Sequence, residues 1–541
     1  MDMFRKIKNH SKSAFFLAVI FLGLLSSCEV NKLDNSTYIP LNSSSVISVN
    51  TEQIFSDAMF DLISNTYLIE GLTGGPFRSL FKDPESAGLV RFDRYYLFGS
   101  GDNLTESRLG MILPLSDQEK FSNYLTINFN VEIIKDSIYK IAEVNNNLVI
   151  AWDEQTAICL YASVGDDLGN DILDYFVQDS LNSLAEKDKT FSEAINDPSH
   201  LVAWFKNDDF LNNLDVIFQS AFSINLLETL KITKEELKGG KSIFSINFHD
   251  GKIIVDSKQY KNKLQLALYK DLGKTNAILP LVNITGSENP VIALSASLNE
   301  GGLLGFMKSY DLDKAFSEML GKYMNFKIDL EFVLNFFAGD AILFVNEFEN
   351  VRVEKMVQQL NIEGEQEQVV KEIIERRPQI TAALSLKKGN QLDVLLKIGA
   401  RKYLQDDGIY NYDNLVYFTI KDDKLCFTTT PKGVEVLKAF TGKLNPVLKE
   451  TLTTSKLAAS FNLKKTFAFV AEGTPIGKEI CEIISNSFNN LLITDQGLND
   501  SGFVSGRAEI EYTSKDHALV STIKFLDKAI KAMNPIIYEI F

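Results

Sequence analysis

Two stretches of this chain read as the same strand–turn–strand unit, and that repetition constrains the fold more than any other feature. "NLVIAWDEQTAICLYA" (147–162) and "NLVYFTIKDDKLCFTT" (414–429) each carry an apolar run, a polar turn and a second apolar run. Laid together without a gap, Leu148 meets Leu415, Ile158 meets Leu425 and Cys159 meets Cys426. A helix-like segment ending in Phe follows each, "GNDILDYF" (169–176) and "GVEVLKAF" (433–440). Self-similarity of this kind is the mark of a duplicated unit.

Other matches keep the same order. "SVISVN" (45–50) pairs with "PVIALS" (290–295), "YYLFGS" (95–100) with "AILFVN" (341–346), and "HLVAWF" (200–205) with "KLAASF" (456–461). "FSINFHDGKIIVDS" (244–257) is laid on "AEIEYTSKDHALVST" (508–522), and the second half carries an extra charged segment near 352–377 that reads as helix. Apolar strand pairs broken by helices predict an α+β fold: two tandem, similar domains of mainly antiparallel sheet, with helices packed on one face. "HDGK" (249–252) and "KDDK" (421–424) supply the hairpin turns. The polar stretch "NITGSENP" (283–290) marks the boundary, giving a first domain at 38–285 and a second at 286–541.

The N-terminus gives an address. Arg5, Lys6, Lys8 and Lys12 precede an apolar run from Ala14 to Leu25. Twelve helical residues span about 18 Å, short of the roughly 30 Å hydrocarbon core, so the segment reads as a secretory signal over 1–27. Leu25-Ser26-Ser27-Cys28 resembles the bacterial lipobox, in which cleavage precedes the cysteine and its thiol is acylated. Cys28 is therefore the expected lipidation site, and the polar residues 28–37 the tether behind it. Acyl chains hold through burial of about 0.8 kcal/mol per CH₂.

Charge narrows the partners. Losing four basic residues and Asp2 with the leader takes the formal net charge from −16 to −19. Such a chain repels nucleic acid phosphates, so no nucleic acid partner is expected. Hydrophobic residues at 45% argue for packed interiors, and 541 residues are too many for one. Cys159, Cys426 and Cys481 are too few and too far apart for a disulfide framework or a zinc site. If the repeat is real, Cys159 and Cys426 face equivalent interiors and do not bridge.

At "YIPLNSSSVISVN" (38–50), "DPESAGL" (83–89) and "GMILPLSDQEKFSNYL" (110–125) the chain resembles a Bacteroidetes lipoprotein family known as domain of unknown function 4836. The resemblance implies an envelope lipoprotein with this strand-and-helix pattern and an outer-membrane position. It brings no established activity and no site residues.

"GGKS" (239–242) lacks the first glycine of a phosphate loop, since Glu235 stands there, and it leads into a strand. "GLTGG" (71–75) and "GGLLG" (301–305) lack dinucleotide spacing. His200, His249 and His517 have no neighbour at metal-ligand spacing, and His249 and His517 read as exposed turn residues. The pairs Asp166-Asp167, Asp208-Asp209, Asp406-Asp407 and Asp422-Asp423 read as solvated turns, and "DDGIYNYDN" (406–414) departs from a calcium loop. Trp152 and Trp204 sit inside apolar runs and read as core.

The expectation is a lipid-anchored envelope protein without catalytic, cofactor-binding or metal-binding residues, held to the membrane at Cys28 and binding an envelope protein partner. Two alternatives remain at this level: a binding protein for a glycan, peptide or lipid, and a hydrolase of envelope polymers.

Overall fold

The computed structural model describes residues 35–57, 84–91, 93–100, 108–162, 168–177, 183–209, 238–263, 265–266, 269, 281–299, 336–360, 366–405, 408–412, 416–439, 442–473, 478–499 and 501–540. Cys28 and the leader lie outside them, as do "GLTGG", "GGLLG", Asp166-Asp167 and Asp406-Asp407. The chain divides into two compact units. Unit 1 comprises 1–265, 499–505 and 509–541, and unit 2 comprises 266–498 and 506–508.

Unit 1 contains β1 (Ser43–Asn50), α1 (Thr51–Asp57), β2 (Arg94–Ser100), β3 (Arg108–Pro114), α2 (Gln118–Phe129), β4 (Ile133–Asp136), β5 (Tyr139–Asn145), β6 (Leu148–Trp152) and β7 (Thr156–Ala162). Next come α3 (Leu168–Val177), α4 (Leu184–Lys187), α5 (Lys189–Ile195), β8 (Leu201–Lys206), β9 (Lys241–His249) and β10 (Lys252–Tyr260). Hydrogen bonding places the strands in the order β4-β5-β6-β7-β3-β2-β1-β8-β9-β10, all antiparallel. The "HDGK" turn joins β9 to β10, with Gly251 at φ +69.

One face of this sheet carries Val46, Phe98, Ile112, Ile158, Leu160, Val202, Trp204 and Ile243, closed over by Ile172 and Phe176 of α3 and Phe191 of α5. Trp204 stacks edge-on against Phe191, and its indole N–H donates to Thr190 Oγ1 at 2.9 Å. The other face is covered too. Trp152 meets Phe121 of α2 edge-on at 5.4 Å, and every residue of β6 is buried. The expectation of helices on one face is corrected here. "LVIAW" is a continuous apolar run, which suits a strand buried on both sides; an alternating one would suit a sheet with one wet face.

Unit 2 contains β11 (Ile292–Ser297), β12 (Phe337–Leu360), β13 (Gln366–Leu386), α6 (Leu392–Gly399), β14 (Tyr410–Tyr412), β15 (Val416–Lys421) and β16 (Lys424–Thr428). It continues with α7 (Pro431–Ala439), α8 (Pro446–Thr454), β17 (Leu457–Asn462), α9 (Leu463–Gly473), α10 (Lys478–Ser487) and β18 (Phe488–Leu498). Its strand order is β14-β15-β16-β13-β12-β11-β17-β18, again antiparallel. "KDDK" forms the β15–β16 turn, with Asp422 and Asp423 at φ 51 and 55, the left-handed pair a two-residue hairpin needs. The interior gathers Ala293, Ile342, Phe344, Ala383, Cys426, Leu437 of α7, Leu452 of α8 and Ala458.

Three sequence readings change. The expected boundary at 285/286 falls inside unit 2, which begins at 266: Leu281, Val282 and Ile284 belong to its interior. The chain then returns, because β19 (Val504–Tyr512) pairs with β10, and α11 (Ala518–Ile540) follows it. The last forty residues therefore complete unit 1 in the main, against the expected second domain running to 541. "AEIEYTSKDHALVST" spans the end of β19 and the start of α11, so it does not match the β9–β10 hairpin. Within the segment near 352–377, residues 352–360 and 366–377 are strand, not helix. β12 and β13 pair from Phe348–Pro378 out to Leu360–Gln366, beyond the stretches that pair with β11 and β16. Apolar neighbours such as Val351 and Val353, two apart, fit a strand's period as well as a helix's charge pattern.

The cysteines also separate. Cys426 lies in the unit 2 interior, paired with Ala383. In unit 1 the residues facing the helices are Ile158 and Leu160, and Cys159 between them points the other way. The gapless overlay is one residue out of register, and one residue flips a strand's side chains. Burial pushes both thiols up to about 12, so neither offers a thiolate near neutrality.

Candidate functional site

A grouping of bonded polar side chains in unit 1 sits beyond the C-terminal end of α5, on the face of the sheet that α3 and α5 cover. Period-two alternation puts His200, Val202 and Trp204 on that face together. The neighbouring strands bring Ser48, Ser245 and Asn247 alongside. Asp197 and Ser199 come from the turn that follows α5, and Arg94 from the start of β2.

The bonds interlock. The Asp197 carboxylate accepts from Ser245 Oγ at 2.7 Å and from the Ser199 backbone N–H at 2.9 Å. Asn247 donates its amide N–H to Ser199 Oγ at 2.9 Å, and its oxygen faces His200 Nδ1 at 3.2 Å. The Arg94 guanidinium donates to the Asp197 carbonyl at 2.5 Å and to Ser48 Oγ at 3.3 Å. Burial alone would raise the Asp197 carboxyl. The bonds from Ser199 and Ser245 outweigh it and hold the group below its usual range.

The arrangement resembles the parts of a hydrolytic site without its wiring. A nucleophilic serine needs the imidazole beside its hydroxyl and a carboxylate behind the ring. Here Asn247 stands between Ser199 and His200, and the carboxylate is bonded to Ser245. His200 and Ser48 are both only 3% exposed. Chemically this is a fastener, tying the α5–β8 turn to β1, β2 and β9.

His517 approaches the same region. Its ring centroid is 6.3 Å from that of His200, and Nε2 lies 3.0 Å from the Phe248 carbonyl oxygen. Neither residue is the exposed or isolated histidine that spacing suggested; His249 alone of the three is exposed. The signal for His200 was present in "HLVAWF", where it shares parity with Trp204. His517 gave none, because its neighbours lie some 270 residues away in sequence.

A second fastener occurs in unit 2. Asn346 accepts from the Gly286 N–H at 2.9 Å and from Thr285 Oγ1 at 3.2 Å, and donates to Thr381 Oγ1 at 3.1 Å. It pins residues 285–286 onto β12 and β13. Asp340, joined to Ser297 and to Ser385 Oγ at 3.5 Å, bridges β11 and β13.

The remaining motifs fall where turns belong. Gly239 (φ +73) and Gly240 turn into β9, and Lys241 of "GGKS" reaches Asp188 at 2.5 Å. Asp422-Asp423 is the hairpin turn already described, and Asp208-Asp209 follows β8. Trp152 and Trp204 are interior residues. Among the described residues no three of His, Cys, Asp and Glu stand close enough to hold a metal ion. Among them, too, no helix is long and apolar enough to cross a membrane.

Comparison with known proteins adds little chemistry. No curated protein sequence matches. Solved structures titled "Structure of crystal form III of TP0453" and "Structure of crystal form I of TP0453" overlap partly. Form III shares 10% identity over 45% of this chain and 88% of that one, with a TM-score of 0.28. Form I shares 10% over 44% and 86%, also at 0.28. At that overlap neither fold nor function transfers. Residues 37–471, most of the chain, match the family described as Domain of unknown function (DUF4836), and the chain belongs to that family.

Proposed function

We propose that this chain is a non-enzymatic, lipid-anchored outer-membrane protein of a Bacteroidetes cell envelope. It is acylated at Cys28, and two tandem, similar domains present a surface to an envelope protein partner. The observation that carries the non-enzymatic part is the wiring around His200. Groups that could do chemistry are buried and bonded into the scaffold, with Asn247 where a reactive pair would have to meet.

The strand orders support the duplication. β5-β6-β7-β3-β2-β1-β8-β9 in unit 1 and β14-β15-β16-β13-β12-β11-β17-β18 in unit 2 run parallel term by term. Following partners across the sheets aligns Val46 with Ala293, Phe98 with Phe344, Ile158 with Cys426, Trp204 with Ser460 and Ser48 with Ser295. Two copies of one module offer a broad interface without any reaction, and a membrane tether raises their local concentration beside other anchored proteins.

Two measurements test this. Labelled fatty acid should enter the native chain and be lost in Cys28→Ala; an unlabelled native chain overturns the anchor. Crosslinking in intact cells should capture one defined envelope protein, and failure to capture any would remove the partner.

A further inference from the structure

Helices α2 and α6 occupy the same place in the two units, between β3 and β4 in one and between β13 and β14 in the other. Their apolar residues differ in burial, although Ile127 of α2 is exposed as well. In α2, Phe121, Tyr124 and Leu125 are buried, Asp117 caps the N-terminus and Asn130 closes the other end in the left-handed conformation. In α6, "LDVLLKIG", Gln391 at the N-cap makes no side-chain bond, and Asn390 Oδ1 accepts from the Leu392 N–H at 3.1 Å. Val394, Leu395 and Ile398 are 54, 42 and 76% exposed.

These three lie on one flank. Val394 and Ile398 are four apart and Leu395 and Ile398 three apart, so their side chains adjoin on a helix. Charge around them runs against the rest of the molecule. Between 387 and 402 stand Lys387, Lys388, Lys397, Arg401 and Lys402 with Asp393 the sole acid, a net of +4 in a chain of −16. Lys388, Lys397, Arg401 and Lys402 are exposed, and Lys402 lies over the Tyr403 ring at 4.5 Å.

We propose that unit 2 docks on an anionic lipid surface through α6. The apolar flank enters the headgroup layer while the flanking lysines and arginine meet lipid phosphates. A short apolar flank with a basic border and an adjacent tyrosine is the composition that settles at a bilayer interface. An acidic protein partner could satisfy the charges, but acidic side chains leave Leu395 and Ile398 in water. An apolar protein groove would strand the cations. The anionic bilayer surface suits both. This inference uses the anchor reading only to place a bilayer nearby; the contact itself needs no acyl group.

The mature chain carrying Cys28→Ser is therefore the right probe, since no lipid modification can contribute. It is sedimented with vesicles of phosphatidylglycerol and phosphatidylcholine, and with phosphatidylcholine alone. Binding to the first, weakened by salt, is expected. Leu395→Asp should weaken it at least about tenfold, since a charge replaces an inserted apolar group. Arg401→Glu with Lys402→Glu should weaken it by more, because each basic residue strengthens binding about fivefold at such a surface. Both of those residues are exposed, so that variant leaves the fold intact. Ile127→Asp, on exposed α2 surface in unit 1, should change nothing. Equal binding of the Leu395→Asp chain, or none to anionic vesicles, overturns the proposal. So does a dimer in lipid-free buffer that Leu395→Asp dissolves, which would make a second copy the occupant. Acylation of the native chain is read separately, so failure of the anchor and failure of the docking are distinguishable.

Discussion

With the sheets aligned by strand order, unit 1 carries large side chains at several positions on its α3/α5 face where unit 2 carries small ones. Trp204 answers to Ser460, Val46 to Ala293, Val202 to Ala458, Ile112 to Ala383 and Ile158 to Cys426. Phe98 and Phe344 keep their bulk, as do Tyr96 and Ile342, and Val149 answers to the larger Tyr417. The strand order is nevertheless the same. Pairing order is set by backbone hydrogen bonds and turn chemistry, which do not depend on side-chain volume. Volume decides how closely the helices approach and how much each side chain contributes.

The largest effect should come from crowding the centre of unit 1. A Cβ added at Gly110 would lie 1.9 Å from the Phe98 ring. Gly110→Val should destabilise unit 1 by about 3 kcal/mol or more, seen as loss of amide protection across β2, β3 and β7. The corresponding position in unit 2, paired with Phe344, already holds Thr381, so Thr381→Val adds no bulk there and should cost only the lost bond from Asn346, about 1–3 kcal/mol.

Cavity formation comes next. Trp204→Ala should cost about 3–5 kcal/mol, whereas Ser460→Ala should stay within about 0.5 kcal/mol. Equal losses at the two positions in chemical denaturation would break the alignment of the two sheets.

The Asn346 fastener ranks below that. Asn346→Ala leaves the Gly286 N–H and the Thr285 and Thr381 hydroxyls to find other partners, at about 1–3 kcal/mol. Amides around 281–287 should lose protection while those of unit 1 keep theirs.

Acid should separate the units more gently. Burial would raise the Asp188 carboxyl, but bonds from Lys241 and Thr190 and the Lys241 charge hold it below its usual range. Asp197 is lowered likewise. A carboxyl lowered in the folded state adds stability above its unfolded pKa of about 4. That stability fades as pH falls through the folded value. Unit 1 should therefore lose protection first below about pH 4. Asp188→Asn should flatten that dependence; unchanged acid sensitivity in the variant would remove Asp188 from the account.

The smallest change is at the surface. Lys438→Ala removes the exposed pair with Glu435 and should move stability by less than about 0.5 kcal/mol.

Much of the sheet was legible because its signals are local. "HDGK" and "KDDK" announce hairpins through residues that tolerate left-handed backbone, and "LVIAW" and "HLVAWF" announce interior strands through unbroken apolar character. What was not legible depends on distance. Nothing within "NITGSENP" says that Asn346 will seize it, and polar composition alone reads as a linker. The cysteine overlay failed for a subtler reason: two matching residue types outweighed the hydrogen-bond register, which places Ile158 opposite Ala383's counterpart. The charged arm failed because its apolar residues satisfy both periods. The fastener around His200 was half visible, through parity in one strand, and half hidden, through contributions from three others.

Because β19 and α11 come after all but a few residues of unit 2, the earlier-made unit is the later one to be finished. During synthesis the inserted unit can close while its predecessor still lacks a border strand and a long helix. Any factor that guards emerging chains would have to hold the N-terminal half for the duration of synthesis. A stalled or clipped product missing the last few dozen residues would leave β10 without its neighbour, ready to pair with whatever strand comes by.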